Sequence, residues 1–98
     1  MKKTIEVEYV GIEDVQEIMD DAYAATKEGH FVNVSFSNCS DNVMICVTVM
    51  IGGYESGKNL DYSFTFFITD KESDVKEMNE CKNVLKNLLA EEYGYETL

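Results

Sequence analysis

Alternation of apolar and polar residues along the chain predicts four β-strands. Residues 4–9, 32–37 and 60–69 alternate at the two-residue period of a half-buried strand. Residues 43–51 are almost continuously apolar and rich in β-branched side chains, which is typical of a central strand covered on both faces. The polar segment 39–42 favours a tight turn, so the second and third strands are expected to form a hairpin.

Two further segments have the three-to-four spacing of apolar residues that is typical of amphipathic helices. The first covers residues 12–28 and the second residues 70–93, and a glycine follows each. At the start of the second segment, Thr69 and Glu72 have the spacing of a capping box, in which each side chain binds a backbone N–H of the other residue. The second helix is therefore expected to begin directly after Thr69.

Together these elements predict one α+β domain over residues 1–98, in the order β-α-β-β-β-α. The sheet is expected to be antiparallel, because short turns and loops join its last three strands. Both helices are expected to pack on one face of this sheet. That face is predicted to include Val32, Val34, Phe36, Phe64 and Phe66.

The helix, three-strand meander and helix of residues 12–93 resemble the double-stranded-RNA-binding domain family in element order. That family holds phosphate groups with a lysine-rich start of its last helix. Here the corresponding residues, 70–77, read Asp-Lys-Glu-Ser-Asp-Val-Lys-Glu and are acidic on balance. The resemblance therefore implies the fold but not the RNA binding.

The charge of the chain restricts its partners. The sequence has 19 acidic residues, eight lysines and no arginine, for a net charge of −11. Direct binding to nucleic acid or to an anionic membrane is not expected, because both need a positive surface. No apolar run approaches the roughly 18 residues that span a bilayer, and no leader-like segment precedes the first strand. We expect a cytoplasmic protein, in the host cytoplasm if a phage encodes it.

No pattern of catalytic or metal-binding residues is found. His30 is the only histidine, and it belongs to no nucleophile motif. The three cysteines lack metal-ligand spacing; Cys46 and Cys81 are expected in the core and Cys39 in an exposed turn. The sequence therefore predicts a protein that is not an enzyme and that uses no cofactor and no metal ion.

Negative charge is concentrated on one face of the first helix. Glu13 with Glu17, and Glu17 with Asp21, are like-charged pairs four residues apart, a spacing that costs a few tenths of a kcal/mol per pair. One interpretation is a face that only keeps the protein soluble. The other is that these carboxylates replace phosphates in the basic groove of a partner. The predicted partner-binding residues are Glu13, Asp14, Glu17, Asp20 and Asp21, with Glu28 nearby.

The chain resembles small acidic anti-CRISPR inhibitors and other phage-encoded DNA mimics in its small size, in these acidic residues and in its helix–meander–helix order. The resemblance implies a protein that binds a CRISPR nuclease or another nucleic-acid-binding protein and blocks its basic site. The alternative is a structural or oligomerisation module, such as a homodimer. It would use the sheet face without charges, with Met44, Met50 and Phe67 as the predicted contact residues.

Overall fold

The computed structural model describes residues 9–93 of the protein and confirms the α+β class. Its elements are α1 (Ile12–Lys27), β1 (Phe31–Cys39), β2 (Asn42–Met50), β3 (Tyr62–Phe67) and α2 (Glu72–Tyr93). This order, α-β-β-β-α, differs from the predicted one. The strand predicted at residues 4–9 lies outside the described residues except for Tyr9, which is not in a strand.

The three strands form an antiparallel sheet in the order β1-β2-β3, so the prediction that residues 43–51 form the central strand is confirmed. Cys39 pairs with Asn42, which leaves Ser40 and Asp41 as a two-residue turn between β1 and β2. Ser40 has a φ of 60°, the left-handed conformation that such turns favour. The turn fixes the register of the hairpin.

Both helices pack on the same face of the sheet, as predicted, with α1 against β1 and α2 against β3. Apolar residues of the sheet, α1 and α2 meet there, because alternate residues of a strand share a face. The fully or nearly fully buried residues include Val15, Ile18, Ile45, Val47, Val49, Phe64, Phe66, Met78, Cys81, Leu85 and Leu88. This core holds α1 and α2 side by side above the sheet.

Phe36 differs from its predicted place in the core. It lies on the face of the sheet that carries the helices, opposite the fully buried Ile45. Phe36 nevertheless stays 51% exposed. The reason is its position on β1, since no strand among the described residues continues the sheet beyond β1.

Met50 is buried, contrary to the predicted surface position. It follows the core residue Val49 in β2 and so lies on the opposite face of the sheet, yet it is only 1% exposed. Met50 pairs with Phe31, whose ring lies 5.5 Å from the ring of Tyr54 in the loop after β2. The same loop donates from Gly53 N to the carbonyl of Met50 (3.2 Å). The loop thus folds back over this end of the sheet and takes Met50 out of any exposed interface.

The start of α2 uses a different acidic residue from the predicted capping box. The Thr69 hydroxyl accepts a hydrogen bond from Lys71 N (3.1 Å) and donates one to Asp74 Oδ2 (2.7 Å). Asp74, not Glu72, is therefore the partner of Thr69. α2 begins at Glu72, two residues later than predicted.

The three cysteines occupy different environments. Cys39 is exposed, as predicted, and Cys81 is buried, as predicted. Cys46 is only half-buried, because it lies on the face away from the helices, where its Sγ is 3.7 Å from Thr65 Oγ1. Burial, with the nearby Glu77 carboxylate, raises the pKa of the Cys81 thiol to about 12. Cys81 is therefore both inaccessible and poorly ionised at neutral pH.

These environments predict the order in which the thiols react. In the native protein we expect an aromatic disulfide reagent to label Cys39 rapidly, because thiolate fraction and access control the rate. Cys81 should react only when the chain unfolds. Thiol titration with and without urea measures this, with Cys39→Ser as the control that removes the fast phase. Rapid labelling of Cys81 in the native protein would contradict the placement of α2 on the sheet.

Candidate functional site

The acidic side chains of α1 meet two lysines of α2. Lys82 Nζ lies 2.6 Å from Asp14 Oδ1 and 3.2 Å from Glu17 Oε1. Lys86 Nζ lies 3.0 Å from Glu17 Oε2 and 2.7 Å from Asp21 Oδ2. We call these five residues the interhelical seam. Glu17 connects its two halves by binding one lysine with each carboxylate oxygen.

Spacing along both helices makes the interhelical seam possible. Asp14, Glu17 and Asp21 are three and four residues apart on α1, and Lys82 and Lys86 are four apart on α2, so each set lies along one flank of its helix. Asp14 also accepts a hydrogen bond from Gly11 N (2.9 Å) and so caps α1. The seam therefore fixes the start of α1 and its contact with α2.

The seam shifts the pKa values of three of its members. The hydrogen bond from Lys86, supported by Lys82, holds the pKa of the Glu17 carboxyl below its ordinary value despite partial burial. Burial of Lys82 opposes its charge, but hydrogen bonds to Asp14 and Glu17 outweigh this and raise the pKa of the ammonium group. The hydrogen bond to Asp21 raises the pKa of Lys86 against a smaller effect of burial. All three groups are thus held in their charged forms.

This geometry corrects the predicted anionic face. Three of the five predicted partner-binding residues, Asp14, Glu17 and Asp21, are bound by lysines of the same chain. Asp14 and Asp21 retain only 14% and 16% of their side-chain exposure. Asp14 and Asp21 are thus mostly covered, whereas Glu17 is paired and still partly exposed. The lysines involved are more than 60 positions away in sequence, beyond the range of helical periodicity.

Glu13 and Asp20, the remaining acidic residues of α1, form a row with Glu17 on the side of the helix away from the core. Glu13, Glu17 and Asp20 follow one another at spacings of four and three residues, and we call them the outward stripe. Glu13 and Asp20 are exposed, and within residues 9–93 no lysine forms an ion pair with either. Glu17 belongs to both sets and stays 41% exposed. The outward stripe is what α1 offers to a partner.

Acidic residues at the start of α2 have a structural use that the sequence analysis missed. Asp74 Oδ1 accepts a hydrogen bond from Phe67 N (3.2 Å), and Glu77 Oε2 accepts one from Thr65 N (3.4 Å). Both N–H groups lie on the side of β3 that faces away from β2. The two carboxylates thus occupy the outer edge of β3. Asp74 and Glu77 are three residues apart on α2, and Phe67 and Thr65 are two residues apart on β3. The two distances along the helix and the strand are similar enough for both hydrogen bonds to form.

The sheet face away from the helices carries no charged residue in any of its three strands. Met44 pairs with Phe67 across β2 and β3, and both are half-buried. With Met50 buried, Met44 and Phe67 are the two predicted contact residues that remain accessible on this face. The rest of the face has Phe31 beside Met50 at one end, two thiols and small polar residues, namely Cys39, Cys46, Asn33, Ser35, Ser37, Asn42, Thr48, Ser63 and Thr65.

The described residues show no arrangement that would hold a metal ion: no group of three or more His, Cys, Asp or Glu side chains is placed to do so. His30 has a structural contact, since its Nδ1 accepts a hydrogen bond from Gly52 N (3.0 Å) and so ties the start of β1 to the loop after β2. Neither helix in this part of the chain is long and apolar enough to cross a membrane.

Comparison with known proteins identifies no relative: the chain matches no protein family, no curated protein and no solved structure. The likeness to double-stranded-RNA-binding domains is therefore one of element order.

Proposed function

We propose that this chain is a non-enzymatic acidic binding protein that covers a basic nucleic-acid-binding site on a partner protein. A CRISPR nuclease is one candidate partner. The observation that carries the proposal is the outward stripe: Glu13, Glu17 and Asp20 present carboxylates in a row on the side of α1 that points away from the core. Lysine and arginine side chains that hold phosphates can pair with carboxylates at such positions.

The interhelical seam supports the proposal in two ways. Its three carboxylates and two ammonium groups leave it negative, so pairing within the chain does not reverse the field of α1. It also holds α1 against α2, so that the outward stripe is presented on a fixed element. A chain with a net charge of −11 attracts a basic partner at long range and accelerates encounter.

The test is a charge reversal that leaves the seam intact. In the double variant Glu13→Lys, Asp20→Lys both changes are at exposed helix positions, so the fold should persist. The matched control, Asp41→Lys with Glu55→Lys, makes the same charge change at exposed positions in the β1–β2 turn and the loop after β2. Wild type and both variants are immobilised and exposed to extract of the native host. The host proteins that they capture are then eluted with duplex DNA.

We expect wild type and control to release the same nucleic-acid-binding protein and the outward-stripe variant to release little of it. With that protein purified, the Kd should rise roughly tenfold or more in the variant, because each exposed ion pair contributes up to about 1 kcal/mol and reversal adds repulsion. Wild-type binding should weaken as salt increases. A partner bound equally by both variants and at all salt concentrations would overturn the proposal.

A second candidate function rests on the uncharged sheet face. In a chain with a net charge of −11, a face with no charged residue has the charge depletion of an interface core. On this alternative the chain is an oligomerisation module that uses Met44 and Phe67. It predicts that Phe67→Glu converts an oligomer into a monomer, since an unpaired buried charge is costly.

A further inference from the structure

Two hydrogen bonds establish which way the backbone groups of each strand point. The carbonyls of Val43 and Val49 accept hydrogen bonds from Ile68 N and Asp61 N, on the β3 side of β2. Odd-numbered residues of β2 therefore face β3, and even-numbered ones face β1, because the direction alternates along a strand. In the observed register this leaves four residues of β1 with N–H and C=O groups pointing out of the sheet: Val32, Val34, Phe36 and Asn38.

The two edges of the sheet differ in whether their outward backbone groups are hydrogen-bonded. On β3, Asp74 and Glu77 accept hydrogen bonds from the outward N–H groups of Phe67 and Thr65. On β1, no hydrogen bond from any described residue reaches the four outward residues. β1 is nine residues long and contains no proline and no charged residue. Natural proteins usually protect an exposed edge with charges, prolines or a covering element; β1 has no charge and no proline, and no strand or helix of residues 9–93 covers its edge.

An apolar stripe of α1 lies next to this edge. The interhelical seam occupies the flank of α1 that faces α2, and the apolar residues Ile12, Met19 and Tyr23 lie on the opposite flank. Because α1 packs against β1 and α2 against β3, this flank faces outward beyond β1. All three side chains are exposed, as is Phe36 on the edge itself. The surface therefore combines unpaired strand groups with apolar side chains.

We infer that the β1 edge binds a second copy of this chain, with the two β1 strands antiparallel across a two-fold axis near Ser35. The second copy supplies what this surface lacks, namely an uncharged strand with free backbone groups and an apolar helix flank. Val34 would pair with Phe36 of the second copy, and the two α1 helices would meet along Ile12, Met19 and Tyr23. The result is a continuous six-stranded sheet.

The distribution of charge favours a second copy as the occupant. Two chains of net charge −11 repel each other, and the repulsion is weakest where two copies meet through a strand without carboxylates, as β1 is. Lys27 is the one lysine of α1, and it lies in the last turn. In an antiparallel pair of α1 helices it would approach Glu13 in the first turn of the other copy.

The experiment measures mass and amide exchange over a range of concentrations with the full chain. We expect sedimentation to show a monomer–dimer equilibrium that strengthens as salt increases, because salt screens the repulsion between copies. Exchange at the amides of Val32, Val34, Phe36 and Asn38 should slow as the protein concentration rises. This salt dependence is opposite in sign to that expected for binding of a basic partner, so the two proposals fail independently.

Substitutions locate the interface. Phe36→Lys and Met19→Lys should each abolish the dimer, although added positive charge by itself would reduce repulsion between copies. The matched control is Val43→Lys, at a residue with 40% exposure on the same sheet face as Phe36 but on the central strand. The control and Phe67→Glu should both leave the dimer intact. A protein that stays monomeric, a dimer that survives Phe36→Lys, or exchange at the four amides that is independent of concentration would each overturn the inference.

Discussion

Lys82→Glu is expected to lower the free energy of unfolding by about 2 to 3 kcal/mol. The substitution places a third carboxylate against Asp14 and Glu17 and removes their shared ammonium group. Breaking a fully buried ion pair costs about 3 to 5 kcal/mol, and the loss here is smaller because the seam retains some exposure to solvent. Urea unfolding followed by circular dichroism measures the change.

Lys76→Glu is the matched control for this prediction. It makes the same charge change on the same helix, at an exposed residue outside the interhelical seam. We expect a loss of only a few tenths of a kcal/mol, the usual value for like charges at helical spacing. Equal losses in the two variants would show that the seam does not hold α1 and α2 together.

The seam also sets the sign of the pH dependence. The pKa of Glu17 is lower in the folded protein than its ordinary value, so its pairing stabilises the fold above about pH 4.3 and is lost as the pH falls through the folded pKa. The pKa values of Lys82 and Lys86 are raised, so their contribution is lost only at strongly alkaline pH. Glu17→Gln should therefore flatten the acid limb of the stability profile and leave the neutral region flat.

The seam also decides how the proposed function can be tested. A reversal that included Glu17 and Asp21 would set new lysines against Lys82 and Lys86 and would destabilise the contact between α1 and α2. Lost binding would then be explained by lost folding. Glu13 and Asp20 lie outside the seam, and for that reason they are the pair that tests binding alone.

Phe66→Ala is expected to have the largest effect on stability, a loss of about 3 to 5 kcal/mol. Phe66 is fully buried between β3 and the helices and pairs with Ile45, which is also fully buried. Truncation leaves a cavity that the surrounding core closes only in part. Because small domains are stable by only about 5 to 15 kcal/mol, a large share of the protein should be unfolded at moderate urea concentrations.

Phe67→Ala is the control for this prediction. Phe67 is the next residue on the same strand, but it faces away from the helices and is only half-buried. We expect a loss near 1 kcal/mol, mainly from reduced apolar burial. If Phe67→Ala were the more damaging variant, the register of β3 would be shifted by one residue, because such a shift exchanges the two faces of a strand.

Within residues 9–93, the positions of the two helices and three strands follow closely from the sequence by itself. Both helices, the hairpin turn at residues 40–41, the central place of β2 and the burial of Cys81 agree with the predictions. The reason is that each of these features depends on residues close together in the chain. Alternation and helical spacing identify an apolar face, and a water-soluble fold has to bury that face.

Only the tertiary structure decided which charges and which apolar residues are available to a partner. Asp14, Glu17 and Asp21 look like a free anionic face until α2 brings two lysines to them. Met50 is buried where the loop after β2 folds back, and Phe36 stays exposed because β1 is an edge strand. Periodicity reports the face of an element on which a residue lies. What that face meets depends on elements distant in the chain, and hence on how the whole chain packs.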